Sequence, residues 1–148
     1  MTTRSILAPV LLAFSLSLAL YAGGCGSAIR TSAQGVEIAA LSLATAGDAI
    51  SIASEADARS TCPAGSALEC LEPVSARWAP VDEAFALASS AVGAWYGATL
   101  LASRAGSDNL LGAALEFASR FAGAYAALVV VAARAGVPLP QIPAGVLP

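Results

Sequence analysis

Apolar residues recur through residues 28–59 at intervals of seven, with Ile29, Val36, Leu43 and Ile50 in one register. Ala39, Ala46 and Ala53 fill the intervening positions. This is a heptad seam of large residues alternating with alanine, and it predicts a helix that a partner helix can approach closely. Ile38, Leu41 and Ile52 are expected to widen its apolar face. Gly35 and Gly47 interrupt the stretch, at a cost of about 1 kcal/mol each relative to alanine. Val81, Phe85, Ala88, Val92, Trp95, Thr99 and Ala102 alternate at spacings of four and three, which predicts a second helix over 80–104. Pro80 suits its first turn, and Asp82 and Glu83 suit the positive end of its dipole. Leu110, Ala114, Phe117, Phe121, Ala124, Leu128 and Val131 repeat the pattern and predict a third helix over 108–135. Arg104 with Gly106, and Arg134 with Gly136, read as matching stop signals, and Ser107-Asp108 can cap the third helix. About four residues separate the second and third helices, so they should form an antiparallel hairpin.

Prolines at 138, 140, 143 and 148 make the last stretch extended. Thr61-Cys62-Pro63 ends the first helix, and Cys62 and Cys70 can close a short loop in an oxidising compartment. The expected fold is therefore all-α: a small three-helix bundle of 28–59, 80–104 and 108–135, with a disulfide loop over 62–70. Within 137–148, Pro140, Ile142 and Pro143 fit a loose P-x-x-P pattern and are the segment's candidates for partner contact, although Leu139, Ile142 and Val146 can equally fold back on the bundle.

The start of the chain differs in kind. A short positive stretch, Met1 to Arg4, precedes an uncharged apolar run over 5–22, and Gly23-Gly24-Cys25-Gly26 closes it. Basic, apolar and small, in that order, is an export signal. Ala22-Gly23-Gly24-Cys25 resembles the lipobox of bacterial lipoproteins, with Ala22 where that class usually carries leucine. The resemblance implies removal of residues 1–24, lipidation of Cys25, and a mature bundle over 25–136 held at the periplasmic face of a bacterial membrane. With Gly26 rather than aspartate after the cysteine, it implies the outer membrane where the host has one. Ala22 and Gly24 also fit ordinary signal cleavage, and the uncut run approaches the length needed to span a bilayer. Cysteine arithmetic favours lipidation, because pairing Cys62 with Cys70 leaves Cys25 as the odd thiol.

Composition narrows the remaining choices. Alanine is about a quarter of the chain, which favours helix and close helix packing. The net charge is −3 and all seven basic residues are arginine, so there is no basic patch to attract nucleic acid. A mean hydropathy of +0.75 keeps a membrane-embedded hairpin over 84–103 and 110–133 in view. Against it stand Ser89, Ser90 and Thr99 in the second helix, and Glu116 and Arg120 in the middle of the third. Spaced four apart, Glu116 and Arg120 read as a surface pair on a soluble helix.

There is no histidine, no nucleophile elbow, and no glycine loop shaped for phosphate. Carboxylates fall in pairs such as Glu55 and Asp57, Glu69 and Glu72, and Asp82 and Glu83, which suit helix ends and loops better than acid–base catalysis. No catalytic residue, metal site or cofactor is expected. The expected function is a non-catalytic envelope lipoprotein with a structural or protein-contact role. Small alanine-rich lipoproteins with prolines near their C-terminus also resemble, in outline, the outer-membrane lysis proteins called spanins, which implies a membrane-active lysis accessory as an alternative. A third reading is a carrier of apolar molecules between helices, lined by Trp78, Trp95, Tyr96, Phe117, Phe121 and Tyr125.

Overall fold

A computed structural model describes residues 27–62 and 70–142. Three helices run in chain order: α1 (Ser27–Thr61), α2 (Leu71–Ala105) and α3 (Asp108–Arg134). No strand occurs among the described residues. The heptad seam of α1 is its buried edge, with Val36, Ala39, Leu43, Ala46 and Ile50 all in the core. Ile38, Leu41 and Ile52 are exposed, Ile52 by 71%, so the expected widening of that face does not occur. The reason is one-sided packing. α1 lies chiefly against α2 and touches α3 much less, so the partner covers only the narrow row of the seam.

Gly47 has a specific use in that row. A Cβ built there would meet the Phe85 ring at 3.0 Å, so the glycine lets the α2 aromatic sit directly on the α1 backbone. The loss of helix propensity at Gly47 is offset by that close approach.

α2 begins at Leu71, nine residues before the start that Pro80 predicts. Pro73 falls in the first turn, where a backbone N–H has no intrahelical partner in any case. Pro80 therefore sits inside the helix and removes the bond that residue 80 would make to the Ala76 carbonyl, a loss of about 3 kcal/mol in an isolated helix. Tertiary contacts outweigh it. Val74, Trp78 and Val81 continue the buried stripe across the proline, while Pro80 itself faces solvent. Across the interface Asp57 of α1 accepts from the Trp78 indole N–H at 2.9 Å and from Arg77 at 2.8 Å. Burial of one large aromatic and a shared carboxylate thus holds the added turns in place.

Both helix stops predicted at glycine are present. Gly106 has φ 58° and its N–H bonds the Ala102 carbonyl, a left-handed cap that turns α2 into α3. Gly136 has φ 85°, its N–H bonds Ala133, and the N–H of Val137 bonds Ala132. That pair of bonds is a Schellman motif, and its usual hydrophobic contact is supplied by buried Val137 and Ala132. Ser107 stands before α3 in an extended conformation, without a side-chain cap bond.

The buried stripe of α3 is rotated from the expected one. Ala114, Ala118, Phe121, Tyr125, Leu128 and Ala132 face the core, whereas Phe117, Ala124 and Val131 lie at its margin. Alanine at 118 and 132 lets α2 and α3 come close, and these two helices share the most extensive contact of the bundle. Phe117 is left beside solvent, with the Arg120 guanidinium 5.4 Å from its ring centre.

Candidate functional site

Two polar arrangements and one aromatic ladder are the chemically distinctive features of the described bundle. Near the α2–α3 turn, Ser32 and Thr99 are 1% and 2% exposed in an otherwise apolar core. Their hydroxyls lie 2.9 Å apart, and the Trp95 indole N–H donates to Ser32 at 3.0 Å. Every polar atom of this triad therefore has a partner, which an apolar interior demands. Trp95, fully buried, continues into an aromatic ladder with ring centres 6.1 Å from Phe121, and Phe121 lies 5.7 Å from Tyr125. These rings pack against one another and against the alanine rows, so their spacing marks the core. Tyr96 and Phe117 lie at the edge of that core.

The ladder ends by fixing the C-terminal segment. Tyr125 donates its hydroxyl to the Pro140 carbonyl at 2.8 Å, and Val137 and Leu139 are buried against the bundle. Of the three tail residues that sequence marks for partner contact, Pro140 is exposed but has its carbonyl engaged, and Ile142 packs on the core margin. Pro143 lies outside the described residues. Burial raises the Tyr125 phenol above its ordinary value of 10.0. The folded chain thus holds that proton more tightly than the unfolded chain does. Its contribution to stability is complete below pH about 10 and is lost as pH rises through the folded value. Thermal melts between about pH 8 and 11 should show this alkaline loss, and Tyr125→Phe should flatten it.

Cys62 and Cys70 form a disulfide with Cα atoms 5.7 Å apart, joining the end of α1 to the start of α2. Cys25 lies outside the described residues, as do residues 1–24, expected to be an export signal, and Glu69. Asp57 bridges α1 to Arg77 and Trp78 of α2, while other carboxylates take the ordinary roles of helix surfaces: Glu55 pairs with Arg59, and Glu116 with Arg120, both four apart and well exposed. Glu72, Asp82 and Glu83 are exposed. Among the described residues, no three His, Cys, Asp or Glu side chains gather in a way that could hold a metal.

By length and composition alone, all three helices are apolar enough to cross a membrane, the spans being Ala28–Thr61, Leu71–Ala105 and Asn109–Arg134. No protein-family model, curated protein or solved structure matches the chain. The fold and these contacts define the protein only as an all-α three-helix bundle with an interhelical disulfide.

Proposed function

We propose that the chain is a non-catalytic bacterial envelope lipoprotein, exported through residues 1–24 and anchored by lipid on Cys25 to the periplasmic face of a membrane, the outer one where the host has two. Its body is a rigid helical module with a structural or protein-contact role, its partners being the bilayer and another envelope protein. One observation carries this reading. Cys62 and Cys70 are consumed by each other, which leaves Cys25 unpaired beside the lipobox-like Ala22-Gly23-Gly24. The disulfide also suits an oxidising compartment. An anchor on Cys25 would sit two residues from the start of α1, so the body would be held close to the headgroups. The test is metabolic labelling with palmitate in a bacterial host. Label on the wild type and none on Cys25→Ala is expected, and an unlabelled wild type removes the proposal.

A second reading, a membrane-inserted lysis accessory, has support from the three helices apolar enough to span. Against it, the exposed Glu116–Arg120 pair would meet lipid near the middle of α3. Host lysis on expression would favour this second reading, and harmless accumulation would count against it.

A further inference from the structure

We infer that the outer face of α2 is a self-complementary surface that pairs antiparallel with α2 of a second copy of this chain. Beside its buried stripe, roughly a third of a turn round the helix, α2 carries a second row at alternating spacings of four and three: Leu87, Ser90, Ala94, Gly97 and Leu101, bounded by Glu83 and Arg104. It is the spacing of a helix–helix seam. Among the described residues nothing fully covers it, although Ala94 and Gly97 at its centre are half-buried. Leu87 is 60% exposed and Leu101 55%, and a Cβ at Gly97 would meet no atom within 4 Å. The centre of the row is small, so a second backbone can come close, and its two large apolar residues flank that centre symmetrically.

Charge decides which partner fits and in which direction. A two-fold axis through Ala94 sets Leu87 of one copy against Leu101 of the other, because position 94 lies midway between them. The same axis brings Glu83 to within one residue of Arg104 in the second copy, at both ends of the seam. Both side chains are exposed and neither has an ion-pair partner among the described residues. Parallel pairing would instead stack Glu83 on Glu83 and Arg104 on Arg104, which like charges oppose. Exposed aliphatic side chains also occur on α1 and α3, but on neither helix do two that are more than half exposed flank a small centre. Each copy presents the same patch to the other, as an isologous dimer requires. The pairing does not depend on the anchor at Cys25.

The experiment uses the mature exported protein in mild detergent. Sedimentation should show a concentration-dependent dimer. A94C should link to its copy under mild oxidation, whereas S119C on the exposed side of α3, and the wild type, should not. E83R alone and R104E alone should each weaken the dimer about tenfold, since two attractive pairs become repulsive. The double variant E83R/R104E should restore it. Glu83, Arg104 and Ser119 are exposed and Ala94 is half-buried, and unchanged circular dichroism would show that the fold survives in each variant. A monomer up to about 100 µM overturns the inference and leaves the exposed row to lipid or to a different protein. A dimer in which A94C fails to link, or the double reversal fails to recover, overturns it equally.

Discussion

Trp95→Ala is expected to lower the unfolding free energy by about 3–5 kcal/mol, among the largest single effects in the bundle. The side chain is wholly buried, and its removal opens a cavity against Phe121 that the stiff helices can close only in part. It also strands polar groups. Ser32 loses the indole donor at 3.0 Å and keeps only Thr99. Two further variants separate packing from hydrogen bonding. Ser32→Ala keeps the volume of the ring but leaves its N–H unpaired in the core, at about 1–3 kcal/mol. Combining Ser32→Ala with Trp95→Phe removes donor and acceptor together, and should cost less than the sum of the two single changes. Denaturant unfolding at fixed pH measures all of these. A fully additive double variant would show that the triad is not coupled.

The triad also marks where sequence pattern stops being informative. The Trp95 and Thr99 positions were legible as part of the α2 stripe, because a period of three and four depends only on local spacing. That Ser32 completes the site was not legible, since the contact joins residues 67 apart and a lone serine on an alanine-rich helix carries no directional signal. The same distinction runs through the fold. Stops at Gly106 and Gly136 were readable because a left-handed cap is chemistry of one or two residues. The rotation of the α3 stripe toward Ala118 and Ala132 was not, because size matching against α2 is settled by the partner's surface. Ile38, Leu41 and Ile52 misled for a related reason: hydrophobicity says a residue can be buried, and only the neighbour's width says whether it is.

The early start of α2 makes the second large prediction, and it follows from the competition between Pro80 and the Asp57 cluster. Trp78→Ala should lower stability by about 3–5 kcal/mol and, unlike Trp95→Ala, should do so unevenly along the chain. Without the indole, the turns before Pro80 keep only Val74 as a buried side chain, along with the Cys62–Cys70 bond at their start and the Arg77–Asp57 pair, of which Arg77 is half-exposed. A half-exposed ion pair contributes under about 1 kcal/mol, too little to offset the backbone bond that Pro80 removes. Residues 71–79 should then fray while the rest of α2, secured by Ala88, Trp95 and Ala102, stays folded. Hydrogen exchange read by mass spectrometry would show protection lost over 71–79 and retained over 84–102. Asp57→Ala should give the same local pattern more weakly, because the Trp78 ring stays buried with its N–H unpaired. Pro80→Ala should reverse it, restoring the bond to Ala76 and raising protection upstream even in the Trp78→Ala background. If Trp78→Ala instead loosens all three helices together, the segment before Pro80 is an integral part of one cooperative unit. Its helicity would then be owed to the whole bundle rather than to the contacts around Asp57.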